Sequence, residues 1–141
     1  MAIAHKNKTL ATLLAAVLGV AGIHRFYLRG AGDKWGWLHA ICLLASLLGV
    51  VLVTTSDPVY ATALKIPLFA SALAGAMEAL ILGLMSDDKW DARFNPASGQ
   101  TSSSHWPLAL VLVLTLGVGM FGLILAISRS IDLFITGGSY G

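Results

Sequence analysis

Residues 106–128 contain not one charged side chain. A helix over that stretch satisfies its backbone N–H and C=O groups internally, and at about 1.5 Å per residue it reaches across the roughly 30 Å of a bilayer's hydrocarbon core. Two further stretches repeat the pattern: residues 35–55 carry no Lys, Arg, Asp or Glu, and residues 66–86 carry only Glu78. A shorter apolar run, residues 9–23, precedes them. With 57% hydrophobic and 11% charged residues, a water-soluble fold would leave wide apolar patches exposed, whereas lipid solvates such faces. The expected fold class is all-α: one polytopic membrane bundle over residues 1–141, with four transmembrane helices at about 9–28, 35–55, 66–86 and 106–128.

The boundaries carry their own signals. Lys6 and Lys8 precede the first run, which on those features also fits the core of a secretory signal. The helix extends equally well through His24 to Leu28, with Arg25 and Arg29 snorkelling to the surface, and is read as a retained span. Trp35 and Trp37 open the second span at headgroup depth. Asp57 as a cap and Pro58 at the first helical position begin a short helical turn before Pro67. After the third span, residues 87–105 are polar. Trp90 and Phe94, four residues apart, mark one face of a short helix expected to lie in the interface, and Asn95 with Pro96 ends it. Residues 97–104, with Gly99 and three consecutive serines, have the composition of a flexible linker. Trp106 and Pro107 open the fourth span, and Gly137 and Gly138 close the tail beyond Arg129 and Asp132.

The net charge of +2 is spread between apolar runs with no basic stripe, which argues against a nucleic-acid partner. The single cysteine, Cys42, excludes an intrachain disulfide and a thiolate zinc cluster. His5, His24, His39 and His105 lack metal-ligand spacing, so no metal or other cofactor is expected. Four alternating spans would set Lys6, Lys8, Lys65 and Arg129 against Arg25, Arg29, Lys34, Lys89 and Arg93. That small difference favours cytoplasmic first and third loops, with both termini outside.

Toward the N-terminus the chain reads Lys6-Asn7-Lys8-Thr9-Leu10-Ala11, then Gly19, Gly22, His24-Arg25-Phe26-Tyr27-Leu28, Gly30 and Trp35-Gly36. This resembles the TM2 domain, a family built from two membrane helices joined by a short loop. Arg29 stands where that family usually has glycine, and His24 where animal relatives carry aspartate. Residues 78–96, including Asp87-Asp88-Lys89-Trp90 and Arg93-Phe94-Asn95-Pro96, are also similar to bacterial members. The resemblance implies a multi-pass protein of the bacterial inner membrane with no general biochemical activity attached.

Glu78 is the sharpest candidate site, because an isolated carboxylate in hydrocarbon must be neutral, paired or wetted. On a helical wheel Ser71, Ala74 and Gly75 lie beside it, so it faces protein. It reads either as a proton or cation site or as a structural hydrogen-bond partner of His39, Arg25 or a backbone carbonyl. Ser71, Gly75, Ala79 and Gly83 form a small-residue packing seam, and similar residues recur at Ala11, Ala15 and Gly19, at Ala45 and Gly49, and at Gly122 and Ala126. His24, Arg25, Phe26 and Tyr27 are expected at the membrane surface, anchoring the turn. No nucleophile motif or Ser/His/Asp grouping points to an enzyme. The expected role is non-enzymatic: a helix-packing protein in lipid that joins a homo-oligomer or another membrane protein. The alternative is a small channel or proton-coupled transporter using Glu78.

Overall fold

The computed structural model describes residues 5–53 and 58–139, and among these every regular element is helical. The elements are α1 (Lys8–Leu18), a 3₁₀ turn (Gly19–Ala21), α2 (Ile23–Arg29), α3 (Lys34–Leu52), α4 (Pro58–Ala63), α5 (Ile66–Leu84), α6 (Asp87–Phe94) and α7 (Trp106–Thr136). Three described segments are long and apolar enough to cross a membrane: Lys34–Leu52, Val59–Leu84 and Trp106–Thr136. The expected cap Asp57 and the expected end of the second span at Thr55 lie outside the described residues.

The first apolar segment departs from expectation, because it is not one helix through to Leu28. After Leu18 the chain tightens into the 3₁₀ turn, and Gly22 takes the left-handed conformation (φ 72°), which glycine adopts without Cβ strain. The chain therefore doubles back. The Asn7 N–H donates to the Tyr27 hydroxyl (2.9 Å), Lys6 Nζ donates to the Leu28 carbonyl, and Leu28 packs with Ala11 and Ala15 in the core. So α1 and α2 form a helical hairpin whose two ends lie together.

Contacts with α5 place the hairpin. Lys8 meets Asp87 just beyond the end of α5, a Cβ on Gly83 would meet Thr12, and Gly19 lies against Gly75 at the middle of α5. Thus α1 runs antiparallel to α5 and stops halfway along it. The helical break leaves backbone groups without intrahelical partners, and Ser71 on α5 donates its hydroxyl to one of them, the Val20 carbonyl (2.8 Å). Helix α3 also runs antiparallel to α5: His39 meets Ser71, and Ser46, buried, accepts from the Leu68 N–H (3.0 Å), one of the orphan amides at the start of α5.

The small-residue seam of α5 is consumed inside this packing. Ser71 serves the 3₁₀ turn, Gly75 meets Gly19, Ala79 is fully buried, and Gly83 faces Thr12 and Leu112. Helix α6 forms as expected over Asp87–Phe94, but its aromatic face is covered by protein. Trp90 (0% exposed) and Phe94 face the core alongside Ala11, Leu28 and Leu82 rather than lipid. The reason is the hairpin, which brings the N-terminal segment over α6, where Trp90 Nε1 and Asn95 Nδ2 both donate to the Lys6 carbonyl (3.1 Å each).

Helix α7 runs past the expected end at residue 128 to Thr136. An Arg129–Asp132 pair stabilises its last turns, and Gly137, left-handed at φ 67°, ends it.

Candidate functional site

Two polar assemblies grow from the hairpin. The inner one centres on Glu78. Gly22 starts α2 at the depth of mid-α5, so His24 and Arg25, in the first turn of α2, meet Glu78 one turn below Gly75. His24 Nε2 donates to Glu78 Oε2, and an Arg25 Nη donates to Glu78 Oε1, so both carboxylate oxygens are engaged. Arg25 Nε donates to Asp33 Oδ2 (2.7 Å), while an Arg29 Nη lies 3.9 Å from Asp33 Oδ1. Burial of Asp33 pushes its carboxyl pKa up, but Arg25 and Arg29 outweigh that and hold it below the ordinary value.

His39 completes the inner layer without touching the carboxylate. Because the Ser71 hydroxyl proton goes to Val20, His39 Nδ1 donates to Ser71 Oγ (2.7 Å), and its ring stands edge-on to His24 with centroids 6.0 Å apart. His24 is 1% exposed, and its Nδ1 has no hydrogen-bond partner among the described residues.

Of the partners expected for Glu78, Arg25 is realised, His39 is displaced to Ser71, and His24 takes the remaining place. The expectation of a surface location for the His24-Arg25 pair gives way to an internal one, because the pair follows the re-entrant turn rather than the end of a span. Phe26 packs edge-on against Trp37 (5.4 Å between centroids), and its ring lies on Gly36, where a Cβ would stand 2.7 Å from the ring and force it to shift. Tyr27 points toward the N-terminus and accepts from Asn7.

The outer assembly is a knot of N-terminus, α6 and the segment after it. Lys8, 7% exposed, donates through Nζ to the Met85 carbonyl at the end of α5, to Asp87 Oδ1 (2.9 Å) and to Ser104 Oγ (3.0 Å). Lys6 does the same for α2 at Leu28, and Asn7 Oδ1 caps α1 by accepting from Leu10 N–H (2.9 Å). Three successive residues thus serve three helix ends, and the two ammonium groups sit at the negative poles of α5 and α2. Hydrogen bonds from Lys8 and Ser104 pull the Asp87 carboxyl down to about 2. Asp91, held below its ordinary value first by the Ser102 hydroxyl, also accepts from the Ser102 N–H (2.6 Å). Residues expected to form a free linker are therefore strapped down: Ser98 and Ser102 also meet His5. Apart from the local Asn7 cap, nothing in residue spacing announces these pairings, since Lys6, Lys8 and His5 meet residues far away in the chain.

A cavity of about 180 Å³ opens beside the inner network between α2, α5 and α6, lined by Arg25, Arg29 and Arg93 as well as Glu78. A second, apolar groove of about 350 Å³ lies between α1, α5 and α7, bordered by Val17, Phe69, Val118 and Gly119.

Fold and network together define the class: a small membrane protein whose described residues form helices, three of them of membrane length, with an ionic clasp between a helical hairpin and α5. More particularly, residues 4–55 match the TM2 domain family. The match spans the hairpin and α3, whereas residues 78–96 fall outside it. No curated protein and no solved structure matches the chain significantly.

Proposed function

We propose that this protein is a non-enzymatic membrane protein that acts by packing against an apolar transmembrane helix, supplied by a second copy or by another membrane protein. The observation that carries this reading is how little of α7 its own chain covers: it packs along α5 and α1, yet of its 31 residues only Leu108 and Thr115 are buried. The apolar groove beside α7 adds support, since α1 stops halfway along α5 and leaves the space beyond its tip unfilled. The seam between α1 and α5 lends the reading nothing, because Gly19, Gly75, Ala79 and Gly83 are already spent within the chain. A channel or transporter through Glu78 likewise draws no support, because both oxygens of that carboxylate are taken by His24 and Arg25.

Three spans with a re-entrant hairpin also change the orientation argument. The N-terminal segment lies with the first and third loops, so Lys6, Lys8, Arg25, Arg29, Lys34, Lys89 and Arg93 share one side and only Lys65 and Arg129 the other. That asymmetry favours a cytoplasmic N-terminus and an external C-terminus.

The packing proposal is tested by cysteine crosslinking in native membranes. With Cys42→Ala as background, Gly117→Cys, on an open face of α7, should crosslink to a neighbouring helix, and Thr115→Cys, buried in the chain, should not. Recovery of monomers alone from every α7 position would refute it.

A further inference from the structure

We propose that the cavity between α2, α5 and α6 binds the phosphate group of an anionic phospholipid. Its lining reaches Met85, just past the end of α5, and Phe94 in the last turn of α6, and includes Arg29 and Arg93. Arg29 is half exposed and reaches Asp33 only at 3.9 Å, while Arg93 is exposed and lies over the Phe94 ring, 5.4 Å from its centroid. Deeper in, Arg25 is held between Glu78 and Asp33. Three guanidiniums against two carboxylates leave the site cationic, and both Glu78 oxygens are already turned to His24 and Arg25. A planar fork of N–H donors at the membrane surface matches phosphate oxygens.

The remaining lining identifies the source of the phosphate. Leu28, Ile81, Leu82 and Met85 continue the wall from the arginines, and Ile81, 59% exposed, opens it sideways toward the hydrocarbon. A soluble anion has no use for that apolar side, whereas a lipid's glycerol and first methylenes lie along it. The volume of about 180 Å³ admits a headgroup phosphate and not a whole lipid, so the acyl chains remain in the bilayer. Basic pockets at the end of membrane helices hold anionic headgroups in this way.

The test is native mass spectrometry of the full chain, released from bilayers containing equal amounts of phosphatidylglycerol and phosphatidylcholine. The wild type should retain phosphatidylglycerol preferentially. Each of Arg29→Gln and Arg93→Gln should weaken that retention about fivefold, the weight of one basic residue near an anionic surface. Lys65→Gln with Arg129→Gln, at the other end of the bundle, should leave it unchanged. Equal retention of the two lipids by the wild type would overturn the proposal, as would undiminished retention in folded Arg29→Gln/Arg93→Gln. A third arm adds inorganic phosphate: if phosphate alone displaces phosphatidylglycerol at matched concentration, the site takes a soluble anion and the lipid assignment fails. The wild-type preference is decisive even if a variant does not fold.

Discussion

The backbones of Gly19 and Gly75 touch, so closely that a Cβ on either would stand 2.8 Å from the other's Cα. This contact seats the tip of the hairpin at the middle of α5 and so brings His24 and Arg25 to the depth of Glu78. The His24–Glu78 and Arg25–Glu78 contacts follow from it.

Gly19→Ala and Gly75→Ala should each therefore destabilise the protein by about 1–3 kcal/mol, because backbone rather than a mobile side chain must move. Gly22→Ala should cost more, since its Cβ would sit 2.5 Å from the Gly36 carbonyl oxygen and φ is positive. Gly117→Ala, with open space around it, should be neutral. Thermal unfolding in detergent reads the order, and an effect at Gly117 as large as that at Gly75 would contradict this packing.

Removing one partner of the ionic clasp leaves the other unpaired. Glu78→Gln and Arg25→Gln should each destabilise by on the order of 2 kcal/mol, below the full buried-pair value because Glu78 retains 27% exposure. The double variant should cost less than the sum, giving a coupling of about 1 kcal/mol or more in a double-mutant cycle. Strict additivity would separate the two residues.

Acid should loosen the outer knot. The Asp87 carboxyl falls from 3.8 in its unperturbed state to about 2 in the fold, so its stabilisation is complete above 3.8 and fades as pH drops through about 2. Solvent screening keeps the effect at about 1 kcal/mol. Stability followed through the fluorescence of Trp90, which packs in the adjoining core, should decline over that window in the wild type and stay flatter in Asp87→Asn. A wild-type profile matching Asp87→Asn would dissolve the claim.

Topology offers a direct check on the hairpin. Cysteines at Gln100 and Ser139, both exposed, should react with an impermeant thiol reagent from opposite sides of the membrane, and an N-terminal tag should share the side of Gln100. A tag found on the side of Ser139 would mean that the first segment crosses the membrane completely.

Much was legible from residue order alone. Uninterrupted apolar runs specify membrane-length helices wherever they fall, because a helix satisfies its own backbone, and α3, α5 and α7 follow that rule. The resemblance carried by Gly19, Gly22 and the His24-to-Leu28 run likewise rests on local order and agrees with the TM2 match. The side of α5 bearing Glu78, Ser71 and Gly75 is set by helical periodicity, and it does face protein.

What helical periodicity could not supply was the direction of the chain after Gly22. Glycine tolerates both a continuing helix and a left-handed turn, and the choice is made by contacts that residue order does not bring together: Gly19 on Gly75, Gly22 on Gly36, Ser71 on Val20. That single turn moved Arg25 from the expected membrane surface to Glu78, brought Lys6 and Lys8 to the ends of α2 and α5, and drew Trp90 into the core. Which segments are helical and apolar is a local property and is written in residue order, as are the short-range pairs Arg25–Asp33 and Arg129–Asp132; the Lys8–Asp87 and Arg25–Glu78 pairs join residues dozens of positions apart, so packing alone closes them.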